Sequence, residues 1–181
     1  MEADRKFLVI AITKPDFFDG ETEQIATLLE GGIDYVHIRK PGATVAEVRE
    51  LIHAVPAEYH HRLRIHDHFA LATEFGLAGV HLNSRNPVPP ASIRSVSRSC
   101  HSIAELHQQA PSGCVMEYQT LSPIFDSISK PGYQSGFNLD DIRESIYGLN
   151  VIALGGVRRD RFPELAEAGF AGAAMLGAAW L

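Results

Sequence analysis

Eight short runs rich in aliphatic and β-branched residues recur along this chain of 181 residues, and nearly every run is followed by an amphipathic stretch or a turn. "KFLVIAIT" (6–13) precedes "ETEQIATLLEGG", where Ile25, Leu28 and Leu29 fall at i, i+3 and i+4 and a glycine pair marks a helix stop. "YVHIRK" (35–40) precedes "TVAEVRELIHAV", in which Thr44 and Glu47 have capping-box spacing and Val48, Leu51, Ile52 and Val55 make one stripe. The later runs are "RLRIHD", "GVHLN", "SRSCHS", "CVMEYQTLS", "NVIALGG" and "AGAAMLGAAWL", and Asn138 is placed to cap the helix in "NLDDIRESIYG". Such alternation builds parallel βα units, either as an open doubly wound sheet or as a closed barrel. No GxGxxG follows the first run, and the eighth strand completes the closing number, so the pattern predicts a (β/α)8 TIM barrel over 1–181 as one domain. The last helix is expected to be short or missing, because only "AAWL" follows strand eight. A thinly covered seam between strands eight and one leaves room for a partner, so a homodimer is an expectation.

Composition limits the partners. A net charge of −6 with 16 scattered basic residues does not suit a nucleic-acid backbone, which is bound by massed cations. Cys100 and Cys114 form no CxxC pair, which fits a reducing cytoplasm. No run approaches the ~20 apolar residues of a membrane span, and "FLVIAI" is too short for a signal-peptide core. A soluble cytoplasmic protein is expected.

In a parallel barrel, chemistry sits where the strands end. Those positions here hold His37, Arg39 and Lys40 (strand two), His66 and Asp67 (three), His81, Asn83, Arg85 and Asn86 (four) and Ser99 and His101 (five). The loop "SPIFDSISKPGYQSGF" (122–137) follows strand six, Gly155 and Gly156 follow seven, and Gly177 ends eight. A connection this long that keeps apolar anchors is expected to grip something. Gly155, Gly156 and Gly177 leave backbone N–H groups open to an anion, and the loops after strands seven and eight are the usual phosphate site of this fold. His53, His60, His61 and His107 are expected to be solvated. The strand histidines read either as satisfied core groups or, with Asp67, as a zinc-type cage; no HxH spacing favours the cage.

Taken in order, "HIRKPG", "RIHDHFALATEFGLAGVHLN", "SRSCHS", "SPIFDSISKPGY" and "VIALGGV" resemble the thiamine phosphate synthase family, including its thiazole tautomerase branch. The resemblance implies a TIM barrel that binds a thiazole phosphate, with a long loop closing over the ligand through Ser127, Ser129 and Lys130. It implies substrate or phosphate contacts at His37, Arg39, Lys40, Asn83, Ser99, Gly155, Gly156 and Gly177. The synthase pattern, Gln-x-Arg-x-Lys after strand two, is here His37, Arg39 and Pro41, with Lys40 one position early; Asn-Asp after strand three is His66 and Asp67; and the second magnesium aspartate falls at Asn86. Asp67 is thus the one carboxylate left for magnesium, and weak binding is expected there. The tautomerase reaction needs a phosphate cradle, one acid/base group and no cofactor, and His101, His66 and Asp67 are the catalytic candidates. The expected function is therefore tautomerase-like; the alternatives are magnesium-dependent coupling of a hydroxymethylpyrimidine diphosphate to thiazole phosphate, and a non-catalytic thiazole or thiamine phosphate sensor.

Overall fold

The protein is described here by a computed structural model covering residues 6–126 and 136–180. Strands β1 (Leu8–Ile12), β2 (Tyr35–Ile38), β3 (Leu63–Ile65), β4 (Gly79–Leu82), β5 (Ser95–Cys100), β6 (Val115–Leu121), β7 (Val151–Ala153) and β8 (Gly172–Met175) lie in chain order around a closed parallel barrel. β8 returns to β1 through Leu8↔Gly172 to Ala11↔Met175, which closes the ring and excludes the open sheet. Helices α1 (Glu21–Glu30), α2 (Val45–Ala54), α3 (Ala70–Phe75), α4 (Ile103–Leu106), α5 (Leu139–Ile146) and α6 (Phe162–Glu167) cover the outside. Local chemistry starts them as the sequence suggests: Thr44 and Glu47 close a reciprocal capping box on α2, and Asn138 accepts from Asp140 N–H at the start of α5.

Strand alternation sends successive side chains to opposite sides. The outward set, including Val36, Ile38, Leu63, Ile65, Val80, Leu82 and Leu121, packs under the helices and forms the larger apolar core. A smaller apolar cluster of Ile10, Ile12, Tyr118, Ile152 and Ala174 lies inside the barrel. The remaining inward positions are polar, with Arg64 as the floor. Its guanidinium donates to Glu117 (2.9 Å), the Ser95 hydroxyl (3.0 Å) and the Val80 carbonyl (3.3 Å), and lies 5.0 Å over the Tyr118 ring. Gly79 is glycine because a Cβ there would stand 2.4 Å from the Ser95 carbonyl oxygen and 3.2 Å from Arg64.

No regular helix follows β8 among the described residues, only a 3-10 turn, Gly177–Ala179. Trp180 takes over the cover: it is buried, donates its indole N–H to Ile12 O at 2.6 Å and meets the edge of Phe18. His60 departs from expectation. It is buried rather than solvated, with Nε2 3.0 Å from Ile52 O and 2.9 Å from Val55 O, so it serves the open carbonyls at the end of α2. No helix among the described residues is long and apolar enough to cross a membrane.

Candidate active site

The inward residues of β2 to β6 are hydrogen-bonded to one another. His37 Nδ1 lies 2.9 Å from His66 Nε2, and His37 Nε2 lies 2.6 Å from the Tyr118 hydroxyl. His81 Nδ1 is 2.7 Å from Ser97 Oγ, and its Nε2 is 2.9 Å from Ser99 Oγ. The rings of His66 and His81 stack at 4.3 Å. Burial dominates their acid–base behaviour. It pushes His81 down to about 3, helped by Arg64, and holds His37 and His66 well below the ordinary imidazole value, with the neighbouring cationic groups adding to the effect. All three are therefore neutral imidazoles at physiological pH. Burial likewise raises the Tyr118 phenol to about 12, so it stays protonated. The three histidines bring nitrogen atoms within 4.8 Å of one another, yet the parallel stacking of two rings and the hydrogen bonds between them describe a satisfied polar network more than a metal cage.

Above this layer lies the rim. Asp67 receives Arg85 Nη2 on both oxygens (3.1 and 3.2 Å) and Asn86 Nδ2 on one (2.8 Å). Asn83, expected to contact a ligand, has its side-chain amide engaged within the protein. Its amide donates to His66 O (2.8 Å) and His81 O (3.1 Å), and its oxygen receives Arg85 N and Asn86 N, so it braces the β3 and β4 loops. These residues fit magnesium poorly: one carboxylate is present, and its charge is already matched by a guanidinium. The weak magnesium site expected at Asp67 finds an arginine in its place. Arg39 is different, because its guanidinium makes no hydrogen bond among the described residues; burial and the nearby Arg85 lower its pKa, with Asp67 partly opposing. Such a cation favours an anionic ligand.

Lys40 requires a correction. The sequence reading placed it among the phosphate contacts, but alternation turns it away from Arg39 and out of the barrel. Its Nζ is buried in an ion pair with Glu21 (2.6 and 2.8 Å) and donates to Asp16 O (2.8 Å). Ser99, also read as a ligand contact, has its hydroxyl 2.9 Å from His81 Nε2. His101 stands exposed on the rim, 3.2 Å from both the carbonyl and the hydroxyl of Ser122.

The long connection begins by running beside β7, where Ile124 N–H donates to Leu154 O (2.9 Å) and Phe125 N–H to Gly155 O (3.0 Å). Gly155 and Gly156 have φ of 93° and 63°, and a Cβ on Gly156 would meet Asp126 O at 2.6 Å. Loop packing therefore demands these glycines, beyond any need to admit an anion. The N–H groups of Gly155, Gly156 and Gly177 make no backbone hydrogen bond among the described residues. Ser127, Ser129 and Lys130 lie outside the described residues. Sequence reasoning did not single out Tyr118 or Ser97. Strand alternation was the available signal, since Ser97 shares a face with Ser99, and Tyr118 is its register partner on β6.

The closed parallel barrel, with helices between its strands and its polar side chains gathered toward the strand ends, is a TIM barrel. A model of the thiamine monophosphate synthase family matches residues 9–179, and the chain belongs to that family. The thiamine phosphate pyrophosphorylase of Bacteroides thetaiotaomicron superposes with a TM-score of 0.81 at 35% identity, over 96% of this chain and 85% of that one. The thiamine-phosphate synthase of Listeria monocytogenes is 29% identical over 170 residues, 83% of this chain and 77% of that protein. A thiamine phosphate pyrophosphorylase from Pyrococcus furiosus, 20% identical with a TM-score of 0.77 over 96% of this chain and 87% of its own, shares the fold. These names favour the coupling reaction over the tautomerase-like one as the family's activity, and they make the chain an enzyme of thiamine-phosphate-synthase type.

Proposed function

We propose that the mouth of the barrel holds a thiazole phosphate and that this chain moves a proton on it. The single observation that carries this reading is the state of Asp67. The only carboxylate at the ends of β3 and β4 is paired with Arg85 and bonded by Asn86, which leaves imidazoles as the proton carriers around the ligand space. His66 is the better placed of the two candidates. It sits inside the barrel with Nδ1 making no hydrogen bond among the described residues, whereas His101 is exposed and leans on Ser122. The amides of Gly155, Gly156 and Gly177, unbonded among the described residues, and the Arg39 guanidinium support a bound phosphate and a carboxylate on the same ligand.

Coupling of the thiazole phosphate to a hydroxymethylpyrimidine diphosphate is the second reading, and the relatives' names favour it. One experiment separates the two. The protein is given the thiazole carboxylate phosphate tautomer alone, and separately thiazole phosphate with the pyrimidine diphosphate and magnesium. Aromatisation of the first without metal is the expected result; thiamine phosphate formed only in the second mixture would replace the proposal with the coupling reaction.

A further inference from the structure

Three side chains inside the barrel form a line that ends at the ligand space. The Tyr118 hydroxyl meets His37 Nε2 at 2.6 Å, and His37 Nδ1 meets His66 Nε2 at 2.9 Å. His66 Nδ1 is the open end. It makes no hydrogen bond among the described residues, and the one fully buried side-chain nitrogen or oxygen without a partner among them is Arg64 Nε, so His66 Nδ1 is accessible. At the closed end the Tyr118 ring is held with the Arg64 guanidinium 5.0 Å over it and the Tyr35 ring 6.1 Å away.

The line has a direction. The Tyr118 hydroxyl has one hydrogen-bond partner among the described residues, His37. A buried O–H left without an acceptor is costly, so the phenol proton points at His37 Nε2, and that nitrogen is the bare one. Both imidazoles are neutral, and a neutral imidazole carries one N–H. His37 therefore carries its proton on Nδ1 and donates to His66 Nε2. His66 Nε2 accepts, which leaves the His66 proton on Nδ1. The reverse arrangement, with His66 donating to His37 and His37 to Tyr118, strands the phenol proton.

We infer that Tyr118 is a positioning residue that sets the tautomers of His37 and His66 in series, so that His66 meets the bound ligand with an N–H rather than a lone pair. The ligand atom facing His66 is then an acceptor: a ring nitrogen, a carbonyl or a carboxylate oxygen. The kinetic consequence rests on the proton-shift reading. There the N–H faces the atom on which negative charge collects as the ligand proton leaves, and a donor fixed in advance favours that transition state. Tyr118 acts through two rings without touching the ligand.

Long-range proton–nitrogen spectra of the ligand-free protein at pH 7 read the tautomers directly, with His37 and His66 assigned by the loss of their signals in His37→Gln and His66→Asn. In the wild type both rings are expected to carry the proton on Nδ1. Tyr118→Phe keeps the ring under Arg64 and removes the phenol proton, so both rings should become mixtures of the two tautomers. With the thiazole carboxylate phosphate tautomer, kcat of the folded Tyr118→Phe protein should fall on the order of 10-fold, following the fraction that loses the donor form. A bare His66 Nδ1 in the wild type overturns the inference, as do tautomers unchanged in Tyr118→Phe. The wild-type spectrum decides even where Tyr118→Phe does not fold. Nδ1–H on both rings in a wild type without turnover supports the tautomer setting and removes the proton-shift reading instead.

Discussion

Two arcs of one barrel differ inside. Along β7, β8 and β1 the interior is Ile152, Ala174, Ile10 and Ile12; from β2 to β6 it is His37, Arg64, His66, His81, Ser97 and Tyr118. Both arcs are buried, so burial alone does not separate them. The apolar arc fills space and is followed by the glycines after β7 and β8, while the polar arc is largely hydrogen-bonded within itself, with Arg64 Nε left without a partner among the described residues, and ends in ionisable groups. Packing on one side and chemistry on the other can share a ring because backbone pairing is indifferent to which side chains point inward.

The largest expected effect tests the division at the mouth. His66→Asn keeps a polar group of similar size without a shuttling proton, so kcat on the tautomer should fall by on the order of 10²- to 10⁴-fold at little change in KM. His101→Asn, on the exposed rim, should cost less than about tenfold. Equal losses would move the proton to His101.

Acid should separate the arcs next. The folded imidazoles of His37, His66 and His81 titrate below their unfolded value near 6.5, so the unfolded chain binds protons that the folded chain refuses. Stability is full above about pH 6.5 and drains as pH falls toward the folded values, at up to about 4 kcal/mol per pH unit for three rings. His81→Gln should flatten that slope by about one third in urea titrations run from pH 7 to 4. An unchanged slope would show that other groups drive acid unfolding.

In the apolar arc, Ile152→Ala should remove about 2 to 5 kcal/mol of stability through cavity formation. Its pH slope and the kcat of the folded fraction should match the wild type. A changed pH slope would mean that the arcs are not separable. Smallest is Asn86→Asp, which sets a second carboxylate beside Asp67 and competes for Arg85. Calorimetric titration should then reveal magnesium binding that is weak or absent in the wild type. Tight magnesium binding by the wild type would contradict the poor fit of the donor set.

Much of the barrel was legible in the chain. The runs ending at Ile12, Ile38, Leu82 and Ala153 alternate with helical stripes because a two-residue and a 3.6-residue period leave different marks in one dimension. Counting strand ends located Arg39, Asp67 and Arg85 near the rim, but His37, read as a substrate contact, lies below it, buried with both ring nitrogens hydrogen-bonded. Lys40 shows where counting stops. It is adjacent to Arg39 in sequence and stands on the other side of the sheet, bound to Glu21. His60 looked solvated and closes the end of α2, since a helix's open carbonyls are located only once the chain turns back on them.

The sequence by itself determined the alternation, the strand number, the helix caps and the family, all of which depend on residues near one another along the chain. The tertiary structure alone decided the pairing of Asp67 with Arg85, the bonds joining His66, His37 and Tyr118, and those of His81 with Ser97 and Ser99. Those partners come from different strands, up to 81 residues apart in the case of His37 and Tyr118. Their contacts are set by barrel closure and strand register, and one shifted register would turn each of these side chains to the opposite face.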